Sequence, residues 1–114
     1  MYSLYKNALA FVFPSYYEVS SILILEGFEA RCPCILADAS CFREIAGDAA
    51  LYFEPKNKVQ LISCAEQLLK YSELRNAYIR KGKSCVNVFS WKKAAMQTSE
   101  VYVRVIESGF CLAL

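Results

Sequence analysis

The chain has 114 residues, of which 56% are hydrophobic and 21% are charged, and its formal net charge is +2 at pH 7. This length allows at most one domain, and such a domain buries roughly two thirds of its unfolded surface. The small net charge argues against nucleic acid as a partner, because a nucleic-acid surface needs clustered Lys and Arg. The longest apolar runs, residues 8–13 and 22–25, are much shorter than the ~20 residues that cross a bilayer.

The first predicted elements form a strand–helix–strand unit. Residues 2–7 have a helical pattern, and residues 10–13 combine aromatic and branched side chains as strands do. Ser20 or Ser21 is expected to cap a helix over residues 22–31, whose apolar positions form a wide surface for packing on a sheet. The next strand covers residues 34–37. This order implies a parallel pair of strands with a right-handed crossover.

The second half of the chain is predicted to be mainly helical. Ser40 is expected to cap a short turn that starts at Phe42 and stops at Gly47, and a third strand is expected at residues 50–53. Apolar residues at three- and four-residue steps then predict helices. The first of these helices starts at residue 57. The second starts after residue 72 and runs to about residue 89, with Gly82 as a weak point. The third runs from the Ser90 cap to about residue 109, before an apolar tail at 110–114.

The cysteines are interpreted as packing groups. They lie in apolar segments without a Cys-x-x-Cys pair and without any histidine in the chain: Cys32, Cys34, Cys41, Cys64, Cys85 and Cys111. We therefore expect no metal and no cofactor. The start of the chain lacks a cleavage pattern for a signal peptide, so a cytoplasmic, reducing location is expected. The alternative, a thiol redox protein, rests on a Cys-Pro-Cys segment that is one residue shorter than the usual redox motif.

Two glutamates, Glu18 and Glu26, are separated by seven residues and flank the predicted junction between strand and helix. Glu18 would lie in the loop at the carboxyl end of the strand, and Glu26 near the beginning of the helix. Open α/β sheets bind ligands at this edge, where a helix N-terminus offers backbone donors and a positive dipole end. Ionised carboxylates accept hydrogen bonds from sugar hydroxyls. The alternative is a structural role, in which Glu26 only interacts favourably with the helix dipole and Glu18 is a solvated loop residue.

Several motifs in the same order resemble one family, the retaining glycosyltransferases with two Rossmann-like domains (the GT-B fold, glycosyl transferases group 1), which use nucleotide sugars. The matching segments are Tyr5-Lys-Asn-Ala8, Phe13-Pro-Ser15, Glu18 to Glu26, Cys32-Pro33, Ala39-Ser40, residues 44–55 and Phe89-Ser-Trp91. The resemblance covers almost the whole chain. It implies an α/β fold, with a partial Rossmann-like parallel sheet and flanking helices from the C-terminal part of a GT-B enzyme.

The resemblance also implies residue roles. Glu18 would be the catalytic residue, binding donor-sugar hydroxyls near the reacting carbon, and Glu26 would bind the ribose hydroxyls of the nucleotide. The backbone amides of four donor-binding residues would face the diphosphate or the sugar: Val19, Ser20, Ser21 and Ile22. Donors placed in advance where charge develops are usually the largest catalytic contribution.

The chain departs from the family pattern at two places. Val19-Ser-Ser replaces a glycine-rich stretch, which narrows the backbone conformations open to this loop. Arg31 replaces a glycine at the helix end, where it loses the easy left-handed cap but suits the negative dipole end.

We therefore expect residues 1–114 to form a single incomplete domain, with a donor-binding βαβ part at 1–56 and C-terminal helices at 57–114. The chain would lack the family's N-terminal domain, expose an apolar sheet edge and dissolve poorly on its own. The expected function is donor binding in a retaining transferase that moves a hexosyl group from a nucleotide sugar to a glycan or lipid-linked acceptor. Peripheral membrane contact of the full enzyme is compatible with the resemblance. The alternative is a non-catalytic relic or interaction module of the same fold.

Overall fold

The computed structural model describes residues 1–109 and has an α/β fold, as the sequence predicts. Within this range, three parallel strands form one sheet in the order β1-β2-β3, flanked by helices. The elements in chain order are α1 (Tyr2–Asn7), β1 (Phe11–Phe13), α2 (Ile22–Glu29), β2 (Cys34–Ala37), α3 (Phe42–Ala46), β3 (Leu51–Phe53), α4 (Lys58–Lys70), α5 (Ser72–Val86) and α6 (Trp91–Glu107). The predicted tail at 110–114 lies outside the described residues.

The sheet brings the carboxyl ends of all its strands to one edge. In the parallel register, Val12 lies opposite Ile35, and Leu36 lies opposite Tyr52. β2 is the central strand and every one of its residues is buried, as is typical of a parallel strand covered on both faces. The loops that follow the three strands therefore lie next to one another.

The helix α2 is held between the sheet and α5. Ile24 and Phe28 of α2 belong to the main core, and the Phe28 ring rests on the backbone of α5 at Gly82. A Cβ atom at Gly82 would lie 2.6 Å from Cδ1 of Phe28, closer than packed atoms approach. Gly82, predicted to be a weak point of its helix, is thus a place where a side chain of α2 packs directly on the backbone of α5.

Arg31 ends α2 in a left-handed conformation, with a φ of 60°. The amide of Cys32 donates to the carbonyl of Gly27 at 2.9 Å, and the amide of Arg31 donates to the carbonyl of Phe28 at 3.0 Å. These two bonds form a Schellman motif, in which glycine is the usual residue at the left-handed position. For a residue with a Cβ atom, this conformation costs about 1–2 kcal/mol.

The predicted caps have different outcomes. Ser21, one of the two residues predicted to cap α2, occupies its N-cap position, but the Ser21 hydroxyl accepts no hydrogen bond from the helix. The predicted cap of α3 is wrong. Cys41, not Ser40, is the N-cap residue of α3, because Ser40 has a left-handed φ of 54° and lies outside the helix. The predicted cap of α6 is confirmed, since the Ser90 hydroxyl accepts from the amide of Lys93.

The last helix, α6, has no buried residue. Its apolar side chains are exposed, including Trp91 at 81%, Tyr102 at 62% and Ile106 at 75%. Across residues 1–109, no helix combines the length and the apolar character needed to pass through a bilayer.

We expect Gly82→Ala to destabilise the fold by about 1–2 kcal/mol, because the new methyl group overpacks the contact with Phe28 by more than the gain in helix propensity. Urea unfolding followed by circular dichroism measures the change. Asn76→Ala, on the exposed side of the same helix, is the control and should leave stability unchanged or raise it. Equal stability of Gly82→Ala and the wild type would contradict the close approach.

Candidate functional site

The candidate site lies at the carboxyl edge of the sheet, where three loops meet. Residues 14–21 follow β1, residues 38–41 follow β2 and residues 54–57 follow β3. The first of these loops carries Glu18 and leads into α2, so the predicted position of Glu18 at the end of a strand agrees with the fold.

Ser40 fixes the backbone of Glu18. The Ser40 hydroxyl accepts from the amide of Glu18 at 3.1 Å and donates to the carbonyl of the same residue at 2.6 Å. The Cys41 thiol reaches that carbonyl as well, at 3.3 Å. One side chain from the loop after β2 therefore satisfies both backbone groups of the predicted catalytic residue.

The Glu18 carboxylate is half-buried and has one side-chain partner among the described residues. The Ser15 hydroxyl lies 3.1 Å from its Oε1 and 3.3 Å from the carbonyl of Tyr17. A carboxylate has about four lone-pair directions. Most of its capacity to accept hydrogen bonds is thus left for a ligand.

The start of α2 presents the other predicted donor-binding residues. Val19 is 83% exposed and Ile22 is 47% exposed, whereas Ser21 is buried and its hydroxyl has no hydrogen-bond partner among residues 1–109. Ser20 is exposed. The left-handed non-glycine residues of the described chain lie elsewhere, so replacement of the family's glycines by Val19-Ser-Ser creates no left-handed strain here.

Glu26 lies in the second turn of α2. It is exposed, and its charge reaches Tyr5 of α1. Burial first, and then the Glu26 carboxylate, raise the pKa of Tyr5, whose buried hydroxyl has no hydrogen-bond partner in the described range. Buried polar groups are normally hydrogen-bonded. The joint action of Glu18 and Glu26 on one ligand stays a prediction.

The sequence reading missed an ion pair beside Ser40. Arg43 donates from Nε and Nη2 to the two carboxylate oxygens of Asp38, both at 2.6 Å, and its guanidinium lies 4.2 Å from the Tyr52 ring centre. The hydrogen bond from Arg43 lowers the pKa of Asp38, and burial is the main cause that raises the pKa of Tyr52 to about 12. Ion pairs along a helix join residues three or four positions apart. Because Asp38 and Arg43 are five positions apart, the sequence pattern did not predict this pair.

A shallow cavity of about 270 Å³ opens at the same edge, between the ends of β1 and β3. Its lining residues are Pro14, Tyr16, Phe53, Pro55, Lys56, Asn57, Lys58 and Leu61. The predicted site residues lie outside this cavity.

The described cysteines are unpaired thiols, and three of them, Cys32, Cys34 and Cys64, are buried. Burial raises the pKa of Cys32 from 9.0 to about 11 and also raises the pKa of Cys34. Raised values oppose the thiolate chemistry that a redox site needs. In the described part of the chain, no three His, Cys, Asp or Glu side chains are grouped as metal ligands would be. Cys111 lies outside that part.

The fold and the position of the site define a class: a partial Rossmann-like sheet of the GT-B type with its candidate site at the carboxyl edge. The family model for glycosyl transferases group 1 matches residues 1–84. The chain belongs to this family, and the predicted resemblance is confirmed.

Curated relatives are longer proteins. The chain is 29% identical over 99 residues to O-antigen chain mannosyltransferase B of Escherichia coli, a match that covers 87% of this chain and 26% of that protein. It is also 29% identical over 92 residues to the serotype-specific mannosyltransferase WbdA of Escherichia coli, covering 81% of this chain and 11% of that protein. The chain thus spans about a quarter or less of the length of these relatives.

A solved structure supports the fold. A sucrose-phosphate synthase from Thermosynechococcus elongatus aligns with a TM-score of 0.83 at 20% identity, covering 91% of this chain and 27% of that chain. This likeness concerns the architecture alone.

We expect Ser40→Ala to loosen the loop that carries Glu18, because the amide of Glu18 loses its partner and the carbonyl keeps only the Cys41 thiol. The expected loss of stability is about 1–2 kcal/mol, the value of two ordinary hydrogen bonds, and the Glu18 amide should exchange its hydrogen faster. Exchange measured by NMR tests this. Ser63→Ala, at an exposed position of α4, is the control. Unchanged protection of the Glu18 amide in Ser40→Ala would contradict the contact.

We expect the free energy of unfolding to fall as pH rises from about 9 to about 11. The pKa of the Cys32 thiol is raised from 9.0 to about 11 in the folded state. The contribution of this thiol to stability is therefore complete below the pKa of the unfolded state, and it is lost as the pH rises to the pKa of the folded state. Urea midpoints at a series of pH values measure this. Cys32→Ala removes the titrating thiol and should show a smaller decline than the wild type; an identical decline would contradict the prediction.

Proposed function

We propose that this chain is the donor-binding part of a retaining glycosyltransferase that moves a hexosyl group from a nucleotide sugar to a glycan or lipid-linked acceptor. The observation that carries the proposal is the attachment of Glu18 to Ser40 at the carboxyl edge of a parallel sheet, in a chain of this family. Ligands of open α/β sheets bind at this edge.

Glu18 is proposed to bind hydroxyl groups of the donor sugar near the reacting carbon. Its backbone is held at both the amide and the carbonyl, while its carboxylate has only the Ser15 hydroxyl as a partner among the described residues. A group that is fixed in advance has a smaller free-energy cost of reorganisation when charge develops on the substrate. This arrangement favours Glu18 as a hydrogen-bond acceptor with a fixed position over Glu18 as a mobile surface residue.

Glu26 is proposed to bind the ribose hydroxyls of the nucleotide. The structure describes it as exposed on α2, in contact with solvent and close enough to Tyr5 to affect that phenol. A carboxylate can accept from two neighbouring hydroxyls at once.

The first turn of α2 is proposed to face the diphosphate or the sugar. Backbone amides of a first helical turn lack partners within the helix, and the dipole makes this end positive. Val19, Ser20, Ser21 and Ile22 lie at this end.

A mannosyl donor is the first candidate substrate, since both curated relatives carry mannosyltransferase in their names. Glycan or lipid-linked acceptors, peripheral membrane contact and the cytoplasmic location expected from the sequence stay predictions. The division into a donor-binding part at 1–56 and helices at 57–114 is proposed on the same grounds.

The test is an NMR titration of the chain with nucleoside-diphosphate hexoses, including a mannose donor. We expect shifts in residues 18–26, and Glu26→Ala should weaken binding by about 10- to 100-fold, because it removes hydrogen bonds to a charged group worth about 1.5–3 kcal/mol. Glu18→Gln should weaken sugar-dependent binding while leaving binding of the nucleotide alone unchanged.

Glu29→Gln is the matched control, since Glu29 lies near the other end of the same helix and pairs with Lys83 at the surface. It should bind donors like the wild type. Binding that is equal in the wild type and Glu26→Ala would overturn the role of Glu26. Absence of any donor binding would favour the alternative, a non-catalytic relic or interaction module of the same fold.

A further inference from the structure

The amino end of the sheet carries a second cavity, on the edge opposite the candidate site. Its volume is about 410 Å³, which corresponds to about a dozen water molecules. It lies at the connection from α1 to β1 and at the connection from α2 to β2. The lining residues are Lys6, Asn7, Ala8, Leu9, Arg31, Pro33, Arg75 and Ile79.

The lining of this cavity is strongly cationic. It holds three cationic side chains, Lys6, Arg31 and Arg75, and no carboxylate. The four ion pairs found within residues 1–109 use other cations: Arg43, Lys70, Lys81 and Lys83. The three cations of the cavity come from separate segments of the chain, so the fold gathers like charges without neutralising them by acids in the described range.

Helix ends account for part of this charge and not for all of it. Lys6 lies in the last turn of α1, Arg31 follows the end of α2, and Arg75 donates to the carbonyl of Leu68 near the end of α4 at 3.1 Å. The carboxyl end of a helix carries roughly −0.5 of an elementary charge. Three such ends offset at most about half of three positive charges, and a net positive potential is left.

Arg31 is held here at a conformational cost. It adopts a left-handed φ of 60° at a position where glycine would be unstrained. Backbone strain of this kind is typical of ligand-binding positions, where the side chain serves a purpose that stability alone does not explain. The cavity thus has a cation at a position where the backbone conformation favours glycine.

We propose that this cavity binds a phosphate-bearing anion through Lys6, Arg31 and Arg75. An arginine has five N–H donors, and the bond to Leu68 occupies one donor of Arg75. Two N–H groups of one arginine guanidinium match the spacing of two phosphate oxygens. The anion is either a soluble phosphate compound or the headgroup of an anionic lipid, and the proposal is independent of the donor site at the opposite edge.

The first arm of the test is an NMR titration of the whole chain with inorganic pyrophosphate. We expect the amides of residues 6–9 and 31 to shift. Arg31→Gly should weaken this binding about tenfold, the effect of losing one charge-assisted hydrogen bond, while raising Tm by about 4 °C through relief of the left-handed strain. Weaker binding by a more stable protein cannot result from misfolding.

Lys56→Gly is the matched control. Lys56 also has a left-handed φ, 69°, is exposed and lies after β3 at the other edge of the sheet. This variant loses the same charge and the same strain, and it should keep wild-type affinity at residues 6–9 and 31. Equal affinity of Arg31→Gly and the wild type, or shifts confined to residues 18–22, would overturn the proposal.

The second arm separates the two sources of phosphate by co-sedimentation with vesicles. Binding to phosphatidylglycerol vesicles but not to phosphatidylcholine vesicles, reduced in Arg31→Gly and retained in Lys56→Gly, supports a lipid headgroup. Pyrophosphate binding without vesicle binding supports a soluble anion. Failure of both probes to bind overturns the proposal, and neither arm depends on donor binding at Glu18.

Discussion

The close approach of the Phe28 ring to the backbone of Gly82 is the contact on which the rest of the structure depends. It seats α2 between the sheet and α5, and in doing so it sets where α2 begins. Because the helix is only eight residues long, a displacement at Phe28 would move its first turn as well. The position of the candidate site is therefore determined by packing about two turns away from it.

The carboxyl edge of the sheet combines a fixed backbone with a free carboxylate. Ser40 holds the amide and the carbonyl of Glu18, and the adjacent Asp38–Arg43 pair braces the same loop against Tyr52. Such preorganisation is what electrostatic catalysis requires, since donors and acceptors that are already placed need no rearrangement when charge develops. The site is open on the chain described here, which spans about a quarter or less of the length of its relatives.

The two edges of the sheet differ in electrostatic character. The carboxyl edge presents Glu18 and the positive end of α2, while the amino edge gathers Lys6, Arg31 and Arg75 around a cavity with no carboxylate. Parallel strands make this polarity inevitable, because every crossover helix begins at one edge and ends at the other. Helix ends and charged side chains then act together at each edge, and at the amino edge the cation Arg31 has a left-handed backbone conformation.

The sequence by itself determined the order and type of the elements, the α/β class and the location of Glu18 after a strand, because periodic burial and turn residues are local signals that a few neighbours encode. The family followed from the resemblance of several motifs that occur in the same order along the chain. It did not determine what Ser40 does, since that residue meets Glu18 across 22 positions, nor why Gly82 is a glycine. The gathering of Lys6, Arg31 and Arg75 was equally hidden. Contacts between distant segments depend on how helices pack against the sheet, and only the tertiary structure decides which side chains that packing brings together.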